Sequence, residues 1–143
     1  MASSSSIEID AGIDAVFSAL SDISAYPTWL SAIKSAEVIQ ADDQGRPIKV
    51  SLKIDAGMMK DKPILDYDWS SAPHSISFSL DDADLLTQMD GSYSLKSVDG
   101  DTTQVTYELT TSVSMPVPQM MLNKAEEATI AAALKELKVK CEQ

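Results

Sequence analysis

The chain has 143 residues, 22 of them Asp or Glu against 11 Lys or Arg, for a formal net charge of −11. That length suits one domain with a sizeable core, and so acidic a surface repels phosphate backbones and anionic head groups, which argues against nucleic acid as a partner. The lone cysteine, Cys141, allows no intrachain disulfide, no run approaches the ~18 apolar residues of a stable membrane span, and Met1 to Ser6 lack the basic and apolar regions of a leader, so the expected location is the cytoplasm.

Ser4 to Asp10 alternates with Ile7 and Ile9 on one side and reads as a first strand. After Ala11-Gly12, the spacing of Ile13, Val16, Phe17 and Leu20 predicts a short amphipathic helix, with Asp14 favourably placed in its first turn. A second helical segment, Ile23 to Leu30, contains Pro27, which limits it to a couple of turns. From Ile33 the period becomes two, in a strand whose inward side is ambiguous, followed by the turn Asp42 to Gly45. Ile48, Val50, Leu52, Ile54 and Ala56 then share one face, and Gly57 to Lys62, holding Met58 and Met59, reads as a loop.

Leu65, Tyr67 and Trp69, then Ile76, Phe78 and Leu80, alternate with polar residues across a turn at Ser71 to His74. Leu85 to Val98 is long for a strand, and Gly91 near its middle predicts a bulge or bend; Met89, Tyr93 and Leu95 share a face. Asp99-Gly100 is a hairpin signal before the alternating run Val105, Tyr107, Leu109, Thr111 and Val113. After Met115-Pro116-Val117-Pro118 no proline or glycine recurs, and a helix of about 35 Å is expected over Gln119 to Cys141. Ile130, Leu134, Leu137 and Cys141 form its anchoring stripe, while Met121, Ala125, Ala128 and Ala132 form a second, smoother stripe that leaves space beneath it. The expected fold is therefore α+β: a curved antiparallel sheet of about seven strands around a long C-terminal helix, with two short helices after the first strand.

Several strings resemble one superfamily. Asp22-Ile23-Ser24-Ala25-Tyr26-Pro27-Thr28-Trp29 is similar to its Asp-x-x-x-Tyr-Pro-x-Trp signature after the first helix, and Gly91-Ser92-Tyr93, Val105-Thr106-Tyr107-Glu108-Leu109 and Met115-Pro116-Val117-Pro118 follow in the matching order. The resemblance is to the START and Bet v 1-like (SRPBCC) superfamily, in its bacterial polyketide cyclase/dehydrase and lipid-transport branch, and spans about Ile7 to Leu137. It implies a helix-grip fold with a hydrophobic cavity between sheet and long helix, where members bind lipids, sterols, polyketides, quinones or plant hormones. A minority carry out cyclisation or dehydration there. The fold alone does not choose among these activities.

The inward strand faces carry no group that titrates near neutral pH, so the expected cavity has oily walls, a few hydroxyls and one indole N–H. The candidate lining is Trp29, Leu52, Ile54, Met58, Tyr67, Trp69, Phe78, Met89, Tyr93, Tyr107, Met115, Met121, Ala125 and Ala128, with no catalytic residue assigned. Tyr67, Tyr93 and Tyr107 each read first as a core aromatic with a satisfied hydroxyl and second as a pocket hydroxyl that orients a ligand, and the methionines read as gap-fillers or as a deformable wall. His74 lies in a turn, no His/Cys cluster offers a zinc site, and the aspartate-rich turns lack calcium-loop spacing, so no metal and no cofactor is expected. Three readings follow: a carrier or sensor of a small hydrophobic molecule, a cyclase or dehydratase using pocket tyrosines, or a protein-interaction module like the quinone-chaperone and ribosome-associated relatives.

Overall fold

The computed structural model describes residues 3–55 and 60–142. The elements are β1 (Ser3–Ile9), α1 (Ile13–Ser21), a 3-10 helix (Ile23–Thr28), β2 (Ile33–Ala41), β3 (Pro47–Asp55), β4 (Lys60–Asp61), β5 (Ile64–Asp68), β6 (Ser75–Asp82), β7 (Leu86–Asp99), β8 (Thr102–Val113) and α2 (Gln119–Cys141). The strands form one antiparallel sheet in the order β1-β8-β7-β6-β5-β3-β2, with β4 paired to β3. This is the expected helix grip, with α2 lying against β1, β8 and α1. Although consecutive among the strands, β1 and β2 sit at opposite edges, and α1 and the 3-10 helix carry the chain from one to the other.

The period-two runs bury the predicted faces: Val50, Leu52 and Ile54; Leu65, Tyr67 and Trp69; Ile76 and Phe78; Met89, Tyr93 and Leu95; Val105, Tyr107 and Leu109. The ambiguity of β2 has a cause. It is an edge strand with register irregularities, and Val38 and Ile39, on opposite sides, are 36% and 50% exposed. Pro27 lies inside a 3-10 turn rather than an α-helix, and Tyr26 there hydrogen-bonds back to the Leu20 carbonyl. Met58 and Met59 lie outside the described residues, and the expected loop around them ends in the short strand β4.

Gly91 makes no bulge. The register with β8 runs straight through it, pairing it with Leu109, while the ladder to β6 ends at it, opposite Phe78. Its role is space: a Cβ there would lie 2.8 and 2.9 Å from the Phe78 Cε carbons and closer still to Cζ. The Phe78 ring covers the bare backbone of its neighbour, so the missing side chain sets where an interior aromatic sits.

The long helix departs most from expectation. Its sheet-facing side is Leu122, Glu126, Ile130, Ala133, Leu134 and Leu137, one continuous stripe. Met121 is 43% exposed, Ala128 and Ala132 face solvent, and Ala125 is half-buried. Helix geometry requires this: Met121 and Ile130 are nine residues apart, about 180° around a helix turning ~100° per residue. A straight helix anchored through Ile130 and Leu137 cannot also present Met121 and Ala128 to the sheet. Among the described residues no helix is long and apolar enough to cross a membrane.

Candidate functional site

All four tyrosines of the chain converge inside the grip: Tyr26, Tyr67, Tyr93 and Tyr107 are only 5%, 9%, 7% and 5% exposed. Strand register brings two of them together, since Tyr93 on β7 faces Tyr107 on β8 and their rings stack at 4.2 Å between centroids. Tyr67 faces Phe78 across β5–β6, with ring centroids 5.5 Å apart, and stacks on Trp69 at 5.9 Å. Tyr26 arrives from the 3-10 helix and meets Trp29 edge-on at 5.5 Å. Tyr26 is not among the expected lining residues, yet it is buried together with Ile23, and that three-residue spacing puts both on one face of the 3-10 helix.

The four phenols lie close enough to feel one another electrostatically. Burial is the main reason all four are held well above the usual phenol range. They therefore remain protonated at neutral pH, able to donate or accept a hydrogen bond but unable to act as resident bases.

Around the phenols, Leu52, Ile54, Trp69, Phe78 and Met89 are 4–8% exposed, whereas Ile9, Val16, Leu20, Val105 and Leu137, nearer α1 and the C-terminal half of α2, are at 0%. These aromatic-side residues thus keep slightly more accessible surface than the aliphatic ones, although Val50, Leu65 and Ile76 on the same strands are also at 0–1%. Trp69 does not offer its indole N–H to this region as expected, because that group donates to the Pro47 carbonyl at 2.6 Å. Tyr67 and Trp69 also wall an open groove of about 500 Å³ that includes Arg46, Asp42 and Asp68. Trp29 is half-buried between the 3-10 helix and the outer side of α2. Met115 is 55% exposed ahead of α2, so with Met121 and Ala128 it stands apart from the tyrosines.

The interior is not free of ionisable groups, contrary to expectation. Glu126 on α2 is 2% exposed. Its Oε1 accepts the Ser3 hydroxyl at 2.7 Å, and its Oε2 accepts the Thr111 backbone N–H at 2.6 Å and the Thr111 hydroxyl at 2.7 Å. Asp61 on β4, 6% exposed, accepts backbone N–H groups of Lys62, Asp84, Leu85 and Leu86 at 2.7, 3.0, 3.0 and 2.8 Å. Burial pushes Asp61 up, but the backbone donors outweigh it and hold the carboxyl below its usual range. Both carboxylates are committed to fixed protein donors. A Glu flanked by Ala125 and Glu127 reads locally as a solvated helix face, and Asp61 reads as part of a loop, so neither was legible in advance.

Among the described residues no three His, Cys, Asp or Glu side chains gather as metal ligands. Burial pushes the Cys141 thiol up, away from a reactive thiolate.

A family model described as polyketide cyclase/dehydrase and lipid transport matches residues 9–138. A START superfamily protein from Mycobacterium smegmatis is 26% identical and superposes with a TM-score of 0.94 over 99% of this chain and 97% of its own. The Zhui aromatase/cyclase from Streptomyces sp. R1128 is 16% identical, with a TM-score of 0.86 over 99% and 93%. A conserved protein from Geobacillus kaustophilus is 19% identical, with a TM-score of 0.82 over 99% and 95%. These last two likenesses speak to the fold alone. No curated protein matches the sequence.

Proposed function

The chain belongs to the polyketide cyclase/dehydrase and lipid transport family, and from that premise we propose that it binds one small hydrophobic molecule among Tyr26, Tyr67, Tyr93 and Tyr107, between the sheet and α2. The observation that carries this reading is the convergence of four buried phenols within apolar walls, with the two buried carboxylates, Glu126 and Asp61, both engaged by protein donors. Apolar and aromatic walls bind by burial, and a few hydroxyls select orientation. General acid–base work needs a group that can gain and lose its proton near the working pH, and the tyrosine cluster supplies none. Carriage or sensing is therefore favoured over catalysis. Cyclisation stays the second reading because protonated phenols can donate to a developing enolate oxygen and a shaped cavity can fold a flexible chain.

Native mass spectrometry of protein purified from its own host should show one extractable hydrophobic molecule per chain. Tyr93→Phe should weaken its retention, since a polar ligand group loses a partner, and Met89→Trp should displace it by filling the inner face. Wild-type protein that emerges bare and takes up no neutral hydrophobic probe such as Nile red would overturn the proposal. Turnover of a poly-β-ketone analogue, abolished by Tyr93→Phe, would favour the cyclase.

A further inference from the structure

We infer that the outer side of α2 carries a second binding site, distinct from the tyrosine cluster, for an amphipathic monoanion: a molecule with one carboxylate or similar head and a short apolar tail. A cleft of about 710 Å³ lies between the end of the 3-10 helix and the C-terminal half of α2. Its size falls within the ~300–1,000 Å³ of small-molecule sites. Trp29 forms one wall, Ala132 and Val139 supply apolar surface on the other, and Lys135 and Lys140 stand beside them.

Three observations give the cleft its chemistry. Val139 is 55% exposed, and Trp29 is half-buried beside it, so apolar surface here is incompletely covered. Neither Lys135 nor Lys140 has a carboxylate within ion-pair distance among the described residues, a state they share with Lys34, Lys53, Lys62, Lys96 and Lys124, so both ammonium groups are open to an incoming anion. The one acid in the cleft, Glu136, has both carboxylate oxygens directed to the Ser31 backbone N–H, at 3.2 and 3.3 Å. On a chain of net charge −11, this is a local surplus of positive charge next to bare apolar surface.

The walls are also fixed before any ligand arrives. Glu136 ties α2 to the segment just after Trp29, and the indole is held edge-on against the buried Tyr26 ring. A preformed cleft loses less conformational entropy on binding than one that must be assembled. An ammonium is a compact charge that suits a single anionic head without demanding a fork geometry, and the Trp29–Val139 surface suits the tail.

Decanoate below its micelle concentration is the test ligand, followed through the two indole N–H signals in nitrogen-15 spectra of the full chain. The Trp29 signal should move saturably. Lys135→Glu with Lys140→Glu should raise the apparent Kd at least tenfold, while circular dichroism and the Trp69 signal of the unliganded variant stay unchanged. Decyltrimethylammonium, with the same tail and the opposite charge, should shift Trp29 far more weakly. The inference falls if charge reversal leaves the decanoate titration unaltered, if the cation shifts Trp29 as strongly, or if only Trp69 responds, which would place decanoate in the interior.

Discussion

Glu126 on α2 accepts both the backbone N–H and the hydroxyl of Thr111 on β8, at 2.6 and 2.7 Å, while its other oxygen takes the Ser3 hydroxyl of β1. One carboxylate thus fastens the N-terminal half of the long helix to the last two strands at the β1 edge of the sheet. Charged hydrogen bonds of this kind contribute about 1.5–3 kcal/mol each, and leaving a buried donor unpaired costs about 1–3 kcal/mol. Glu126→Ala is therefore expected to lower the unfolding free energy in urea by about 3 kcal/mol or more. Thr111→Val, which keeps the backbone donor and removes only the hydroxyl, should cost nearer ~1 kcal/mol. Equal losses would mean that the backbone bond and the Ser3 bond together contribute nothing.

Gly91→Ala places a methyl group into the Phe78 ring, which has no free space on that side. Overpacking of this type costs about 1–3 kcal/mol. Combining it with Phe78→Leu should recover part of the loss, because the smaller side chain yields the volume the methyl needs. Simple additivity of the two penalties would show that the ring and the glycine do not share that volume.

Asp61 sets an acid limit on stability. Its folded carboxyl lies below the unfolded value of about 4. The contribution is fully present above that value and is lost as pH falls through the lower folded one. Asp61→Asn should therefore destabilise at pH 7 by about 2 kcal/mol and flatten the acid limb of the stability profile. A parallel profile, merely displaced, would assign the acid sensitivity elsewhere.

The tyrosines set the alkaline limit. Their folded phenols titrate above the unfolded value of about 10, so the stability they contribute is present below that pH and is lost as pH rises beyond it. Tyrosinate ultraviolet absorbance and loss of the near-ultraviolet dichroism of the core should appear together on alkaline titration. Tyrosinate forming while the native dichroism persists would show that a phenol is open to solvent.

On α2, Ala128→Trp should change stability by no more than about 0.5 kcal/mol and leave any interior ligand bound, since position 128 faces solvent. Leu137→Ala, at a site with 0% exposure, should cost about 2–5 kcal/mol. Ligand loss in the Ala128 variant would mean that the helix face has been misassigned.

The local periods are legible in the order of residues alone. Alternation in β3, β5, β6, β7 and β8 put Leu52, Ile54, Tyr67, Trp69, Phe78, Met89, Tyr93 and Tyr107 on one side of a sheet, because successive side chains in a strand must point oppositely. The composition after Pro118 determined a long helix, and Ile130, Leu134 and Leu137 determined which of its faces anchors. It takes the folded chain to show that this face continues through Glu126 and Leu122, that Asp61 holds a turn 23 residues away at Asp84, and that Tyr26 completes the cluster. A carboxylate belongs in solvent until donors from distant strands converge on it. Thr111 and Ser3 lie far from Glu126 along the chain, and Leu86 lies far from Asp61, so the burial of these acids is a property of strand order and register rather than of any local stretch.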